Sequence, residues 1–450
     1  MILCALYCLV ILILILIKPK IFIYWFFLTT YIEPVIVSYF LQIHDPQLFV
    51  FYLGGLVPFE FLNQNGIILM AIMYPILNIS NYRTTILNSF RKSKRYLFVF
   101  TIVMFLLVLI KLLVYGDLSS SLSSLTTLLI FPTTLLNILH FFPTKKTAKE
   151  LFNFFFYSTF ILFFLFVYFS VIPHFQVISS FDFENRLSNY LYFGANGTAA
   201  FLGIFLFMLI LKSKHVYGFL AKTLYILIIF TLLICILFTF TRTIIISLIL
   251  ILLIDQLFIQ NKKSPILIFL ISFAVLFYFG DEVLNILNRG VDTNSFDVDS
   301  EGDGTLVFRI YKLWLPSVLE IFINIKYILF GTEDKGFNQF LNRITGLSYA
   351  NHNAFLFYLV SSGAVGVLLF FKFWINLFKD FHTQIFSGSN VVNKSDIKLC
   401  LYSTLLFFIS INFMSTYHVL FIIQVSIIIN YSISLSTRQN PQSKYNHELI

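Results

Sequence analysis

Three polar side chains stand out because their types suit a transfer reaction on a phosphorylated lipid. Arg242 lies in a Thr-Arg-Thr turn between two apolar stretches, Arg309 opens an amphipathic segment, and His352 precedes a further apolar stretch. Arginine carries a permanent charge and a planar set of donors that fits phosphate oxygens. Histidine, with an ordinary pKa of about 6.5, is a natural general base for a hydroxyl. Two arginines and a histidine at a membrane surface would suit the removal of a glycan from a lipid pyrophosphate.

Each of these residues also has an ordinary structural interpretation. Arg242 alone would be an interface anchor, Arg309 would pair with the acidic run before it, and His352 would belong to a capped helix start. The acidic run at 297–304 resembles the start of an EF-hand loop, but Phe308 stands at the twelfth position, where that loop needs a bidentate Glu. We therefore interpret the run as a solvated acidic loop, with weak calcium binding as a remote alternative.

Composition indicates that these residues belong to a membrane protein. Of 450 residues, 59% are hydrophobic and 11% are charged, whereas a soluble domain carries about 25% charged residues. This excess of apolar surface excludes a soluble enzyme, a disordered protein and a nucleic-acid binder. The net charge is +9. The basic residues are scattered over short loops, where they indicate which loops share a side of the membrane. The four cysteines lie in or beside apolar stretches, so no disulfide, zinc motif or other cofactor is expected.

The elements that must position these side chains are apolar segments of about 20 residues, the length that crosses a membrane. The pattern predicts an all-α integral membrane bundle of about 12–14 transmembrane helices, and the count is 13 or 14 depending on whether an interrupted third segment forms one helix or two. The predicted spans are 2–17, 21–41, 48–79, 96–115, 118–140, 151–172, 193–211, 218–239, 243–259, 265–280, 354–374, 400–413 and 419–435.

Charge predicts which loops share a side. Basic residues occupy alternate loops and acidic residues the others, so by the positive-inside rule the basic loops are cytoplasmic and region 280–353 faces outward. We expect four parts: an N-terminal bundle at 1–280, a large periplasmic loop at 281–353 with an amphipathic helix at 314–330, C-terminal membrane helices at 354–436, and a cytoplasmic tail at 437–450. Within the helix after the loop, Gly363 and Gly366 would allow close helix packing.

Short motifs follow one another in order between residues 190 and 375. They are FGANGTAA at 193–200, FTRT at 240–243, FRIYKLW at 308–314, FGTEDKGFN at 330–338 and NHNAFLFYLVSSGAVG at 351–366. Together they resemble the bacterial O-antigen ligase and O-antigen polymerase superfamily, in which a His-Asn pair opens a membrane helix that carries a Gly-x-x-Gly pair. One position departs from that pattern, because Glu333 or Asp334 stands where a second glycine is common.

The resemblance implies a GT-C-like, metal-independent, inverting glycosyltransferase of the bacterial inner membrane with a periplasmic active site. Arg242 and Arg309 would hold the pyrophosphate of an undecaprenyl-linked glycan, and His352 would orient or deprotonate the acceptor hydroxyl. The site would also include three substrate-binding residues, Asn196, Trp314 and Asn353. The expected partners are the lipid-linked glycan, membrane lipid and a chain-length regulator protein.

Several functions remain open on the sequence. A polymerase, a transferase that adds glycan to the lipopolysaccharide core, and a non-catalytic scaffold share this outline, and we favour the polymerase because such enzymes are divergent. A lipid-linked oligosaccharide flippase would place charges along a central path. Mid-span ionisable residues are few, however, and most of them lie near predicted ends: Glu33, Glu60, Lys111 and Asp255. Simple glycoside hydrolysis would need paired carboxylates, and the outward acids show no such pairing.

Overall fold

The structure, a computed structural model, describes residues 2–30, 65–73, 92–116, 118–172, 195–239, 241–255, 309–334, 337–346, 353–386, 394–413 and 419–436. Within these ranges the side chains of a few residues lie outside the description, among them Asn196, Arg242 and Arg309. About 92% of the described chain is helical and it contains no strand. The predicted all-α fold is therefore confirmed.

The described residues contain helices that we number in chain order. They are α1 (Ile2–Ile17), α2 (Lys92–Tyr115), α3 (Leu118–Phe141), α4 (Lys145–Phe166), α5 (Ala195–Ser213), α6 (Phe219–Phe238), α7 (Arg242–Ile254), α8 (Leu315–Ile323), α9 (Ile325–Phe330), α10 (Phe337–Thr345), α11 (Ala354–Phe386), α12 (Lys394–Phe413) and α13 (Val419–Ser436). Segments 19–30 and 65–73 are also helical, and π-helical turns occur at Val167–Val171 and Arg309–Trp314.

Four helical segments of the described chain are long and apolar enough to cross a membrane: Tyr96–Tyr115, Lys145–Phe166, Phe219–Phe238 and Ala354–Phe386. Shorter apolar helices occur at Cys8–Ile17, Leu128–Phe141, Gly197–Ser213 and Phe421–Leu435. These findings fit the predicted membrane protein. The predicted span at 265–280, the acidic run and the tail at 437–450 lie outside the described residues, and the four-part division stays a prediction.

Several buried hydroxyl groups in these helices bond to their own backbone. Thr101, Thr133 and Thr404 each donate to the carbonyl oxygen four residues earlier, at 2.6–2.8 Å. In an apolar medium no water is available to satisfy a hydroxyl, so this local bond removes the cost of burying it. The threonines are thereby compatible with helices that otherwise bury apolar side chains.

Polar contacts join several helix ends at one end of the bundle, which we call the basic end. There His215 Nε2 lies 3.1 Å from Asp396 Oδ2, Lys398 Nζ lies 3.8 Å from Asp255 Oδ1, and the Tyr402 hydroxyl donates to Asp255. Of these residues, His215, Asp396 and Lys398 belong to connections that the charge pattern assigned to one side, whereas Asp255 and Tyr402 lie near the ends of predicted spans. The structure therefore groups these connections as the sequence does, while the compartment that each end faces stays a prediction.

Candidate functional site

Helix α11 is not one straight span, because it turns back on itself at Gly363. The backbone there has φ 67° and ψ −167°, which no α-helix contains. The rings of Phe355 and Phe371 have centroids 5.6 Å apart, although a straight helix would separate these residues by about 24 Å. Tyr358 likewise stacks on Phe370 at 4.5 Å. The prediction of a single span at 354–374 is therefore wrong.

The two arms of α11 differ in what they can do. The second arm, residues 364–386, is about 35 Å long at 1.5 Å per residue, which suffices for a hydrocarbon core of about 30 Å. The first arm, residues 354–362, is too short to span. It packs alongside the second arm and carries Asn353 at its start, on the side away from the turn. The expected membrane crossing thus falls to the second arm alone.

A close backbone contact, which we call the glycine crossing, forms where the connection after α9 meets the turn of α11. Gly331 has φ 77°, and a Cβ on it would lie 2.6 Å from Ser362 N. A Cβ on Gly363 would lie 2.7 Å from the carbonyl carbon of Leu329. Thr332 N donates to Val360 O at 2.7 Å. Only glycine allows both the positive φ and this approach, so the predicted packing role of Gly363 is real but operates at a helix break.

Helix α2 holds the crossing from one side. The Tyr115 hydroxyl donates to Gly331 O at 2.8 Å, and a Cβ on Gly366 would lie 3.4 Å from the methyl carbon of Met104. At the other end of α2, Lys372 Nζ lies 5.0 Å from the centre of the Tyr96 ring. Helix α2 and the second arm therefore run antiparallel, and the crossing lies at the end of the bundle opposite the basic end.

The predicted amphipathic helix at 314–330 is two helices. It breaks at Asn324, whose φ of −113° and ψ of 115° are extended and whose side chain caps α9 by accepting from Lys326 N at 3.0 Å. Ser317 and Ile321 face inward. The opposite face exposes an apolar stripe, which consists of Leu315, Leu319, Phe322 and Ile323 and continues on α9 with Ile325. An exposed stripe of this kind is typical of a helix that lies at a bilayer surface.

Arg343 is a charged residue of this region that sequence reasoning missed. Its Nη2 lies 3.1 Å from Asp334 Oδ2 and its Nη1 lies 3.6 Å from Glu320 Oε1, and its guanidinium stands 5.7 Å from the centre of the Tyr327 ring. Burial alone lowers the pKa of Arg343, but the hydrogen bond and charge of Asp334 outweigh this, so the pKa is raised. The apolar spacing of α10, with Phe337, Phe340 and Leu341 buried, could have indicated that Arg343 is held in place.

Asp334 thus has a structural role; it is one of the two residues, with Glu333, at which the resemblance would lead us to expect a glycine. Its side chain is only 5% exposed, so it needs the cation that Arg343 supplies. Burial raises the pKa of Tyr327 beside this pair, and Arg343 opposes the rise. The carboxylate and guanidinium neutralise each other, and we therefore do not assign Arg343 to substrate binding.

The predicted site residues fall into two groups. Asn196 lies in the first turn of α5, and Arg242 is the first residue of α7. The two helices pack together, since a Cβ on Gly203 of α5 would lie 3.5 Å from Ile244 Cγ2 of α7. Both helices end at the basic end, because His215 follows the last residue of α5 by two positions and Asp255 directly follows α7. Their first residues are therefore at the opposite end of the bundle, on the same side as the crossing.

The second group lies on the two segments that lead along the chain to the glycine crossing. Arg309 begins the π-helical turn that leads into α8, and Trp314 ends it. The indole Nε1 of Trp314 is buried without a hydrogen-bond partner. Asn353 Oδ1 accepts from Leu356 N at 3.2 Å and so caps the first arm. His352 lies outside the described residues, and the convergence of Arg242, Arg309 and His352 on one pocket stays a prediction.

Comparison with known proteins adds no family to this geometry. No protein-family description and no curated protein matches the chain. Among the described residues, no group of three or more His, Cys, Asp or Glu side chains could hold a metal ion. The fold defines the class, a helical protein with segments able to cross a membrane, and it carries a helical hairpin locked by two glycines.

Proposed function

We propose that the chain is a membrane glycosyltransferase that polymerises lipid-linked oligosaccharide repeat units of O-antigen or a related surface polysaccharide. It would be a GT-C-like protein of the bacterial inner membrane whose site faces the periplasm. The donor is a glycan on undecaprenyl pyrophosphate, and transfer inverts the configuration at the anomeric carbon.

The observation that carries the proposal is the glycine crossing. It joins the segment at 330–338 to the segment at 351–366, the two motifs nearest the proposed base, through the bond from Thr332 N to Val360 O at 2.7 Å. Two stretches that resemble one family thus depend on each other's backbone. Arg309 begins the turn that leads into α8 and α9 and hence into this contact.

The exposed face of α8 and α9 supports a lipid-linked substrate. The π-helical turn that starts at Arg309 leads directly into the apolar stripe, whose Phe322 is 63% exposed and Ile323 81% exposed. A cation followed by an apolar surface matches an amphiphile with an anionic head and a hydrocarbon chain.

The proposed chemistry assigns one task to each reacting group. His352 takes the proton of the acceptor hydroxyl while that oxygen attacks the anomeric carbon from the face opposite the leaving group. The bond from this carbon to the pyrophosphate oxygen breaks, and the lipid pyrophosphate leaves with the electron pair. Arg242 and Arg309 stabilise the charge that develops on it, as preorganised cations can in a site that excludes water.

The test is complementation of a strain that lacks the gene, followed by gel analysis of surface glycan. Arg242→Ala and Arg309→Ala should abolish polymer at unchanged protein level, and Arg309→Lys should be poorly tolerated because it loses the bidentate contact. His352→Ala should reduce the rate at least about 100-fold. Lys326→Ala, which removes an exposed cation of α9, serves as the control and should leave polymer unchanged. Long-chain polymer from both arginine variants would refute the proposal.

The same gels separate the alternative of an O-antigen ligase. In the strain without the gene, a ladder that collapses to one repeat on the core indicates a polymerase. Loss of all core-attached glycan, with lipid-linked polymer accumulating, indicates the ligase. In vitro, a chelator should leave the transfer rate unchanged, and a loss that a divalent ion restores would contradict the metal-independent mechanism.

A further inference from the structure

The buried face of α2 ends in a charge that the proposed chemistry does not use. Leu107 and Val108 continue a buried stripe along this helix, and the next buried position is Lys111, which is only 1% exposed. Leu113, two residues further, is 84% exposed. The lysine side chain therefore points into the protein and does not reach the membrane surface. A buried ammonium in a membrane helix is costly unless neighbouring groups compensate it.

The position of Lys111 on α2 directs it towards the glycine crossing. Met104 lies two helical turns before it and approaches Gly366, whereas Tyr115 lies one turn after it and donates to Gly331 O. Residues four and seven apart share a helix face. Lys111 is thus bracketed by the two contacts that attach α2 to the crossing.

Two helix C-termini meet at this point. Helix α9 ends at Phe330, where Gly331 N bonds back to Tyr327 O at 3.0 Å, and the first arm of α11 ends at Gly363. The carbonyl groups of Ile328 and Leu329 lie against Gly363. The last carbonyls of a helix lack partners within it and give its C-terminus a partial negative charge. Two such ends in apolar surroundings would repel each other without a nearby cation.

We propose that Lys111 is a positioning residue, whose buried ammonium neutralises the C-termini of α9 and of the first arm and so holds the glycine crossing closed. Three N–H donors allow one ammonium to serve carbonyls from both ends. A closed crossing fixes the first arm against α2, and with it Asn353 at the start of that arm. Any consequence of this positioning for catalysis rests on the proposed function, whereas the closure of the crossing by Lys111 does not.

The experiment measures hydrogen exchange in the full chain reconstituted in lipid nanodiscs. Lys111→Met keeps the length of the side chain and removes its charge, and Lys111→Arg restores the charge. Thr101→Val is the matched control, because it changes a buried residue of the same helix whose hydroxyl bonds only to Leu97 O among the bonds described. Peptides that cover 327–334 and 354–363 report on the crossing, and a peptide from α13 reports on the remaining fold.

In Lys111→Met, exchange in the two crossing peptides should be faster by about tenfold, within what a cation at a helix C-terminus contributes, while the α13 peptide is unchanged. Lys111→Arg and Thr101→Val should match the wild type at the crossing. The proposal would be overturned if the two crossing peptides of Lys111→Met exchanged at the wild-type rate. It would also be overturned if exchange were faster to the same degree in all peptides. If the methionine variant does not accumulate, Lys111→Gln must give the same local effect, and its failure to do so is equally decisive.

The outcome does not depend on the proposed function. Local loosening in Lys111→Met, with no glycosyl transfer by the wild type, would leave the role of Lys111 standing and refute the function. If the wild type transfers glycan, and the Lys111→Met variant does so too with an unchanged crossing, the role of Lys111 is refuted and the proposed function stands.

Discussion

Gly331→Ala should weaken the protein at one identifiable point, the glycine crossing. Gly331 has φ 77° and lies against the backbone of the first arm of α11, and an added Cβ would stand 2.5 Å from Val360 O and 2.6 Å from Ser361 C. These are backbone atoms, so no side chain can rotate away to make room. The substituted chain must open the crossing or strain both segments.

The magnitude has two parts. A residue with a Cβ at positive φ costs about 1–2 kcal/mol. Inserting a methyl group into a packed region costs about 1–3 kcal/mol more. We therefore expect Gly331→Ala to lower the free energy of unfolding by about 2–5 kcal/mol, and to break the bond between Thr332 N and Val360 O.

Two other glycines separate the conformational cost from the steric cost. Gly346 has φ 74°, but a Cβ on it would meet nothing within 4 Å, so Gly346→Ala carries the conformational cost alone. Gly203→Ala places a Cβ 2.7 Å from Leu406 Cδ2, the flexible end of a side chain, and should cost less than Gly331→Ala. Denaturant titration of the full chain in detergent, followed by helix content, measures all three. Equal losses for Gly331→Ala and Gly346→Ala would refute the crossing as described.

Three further predictions concern polar contacts. Arg343→Ala leaves the buried carboxylate of Asp334 without its cation. Because the arginine is itself partly exposed, the free energy of unfolding should fall by about 1–2 kcal/mol. Proteolysis near 334–346 should become faster. Asn353→Ala should destabilise by about 1 kcal/mol through loss of the cap, whereas Asn353→Asp should keep stability in thermal melts; normal polymer from Asn353→Asp would exclude a substrate contact through the amide nitrogen. Tyr402→Phe removes a hydrogen bond to Asp255 at the basic end and should lower the free energy of unfolding by about 1.5–3 kcal/mol. Polymer length should stay normal, because the basic end lies opposite the glycine crossing. A change in polymer length would contradict this separation of the two ends.

The positions of the helices could be predicted from hydropathy alone. The predicted spans 2–17, 118–140 and 419–435 agree with α1, α3 and α13 to within one residue at each end. Agreement is close because a continuous apolar run in a membrane protein has few alternatives to a helix that satisfies its own backbone. The amphipathic character of 314–330 was likewise visible, but its break at Asn324 was not, because asparagine is tolerated inside helices as well as at their caps.

The candidate site could be predicted only in part. The types and order of Arg242, Arg309 and His352 suggest a chemistry, yet nothing in one sequence measures the distance between them. Arg343 was missed because its two acidic partners, Glu320 and Asp334, lie 23 and 9 residues earlier in the chain. A pairing across short helices becomes visible only when those helices are packed.

The sequence by itself determined that the chain is helical, apolar enough for a membrane, and divided into segments by its charged loops, because these properties depend on composition and on local periodicity. The tertiary structure decided that α11 folds back at Gly363 and that Gly331 meets it there. The reason is that glycine permits both a continuous helix and a sharp turn, and only the backbone of a distant segment, pressed against it, selects the turn.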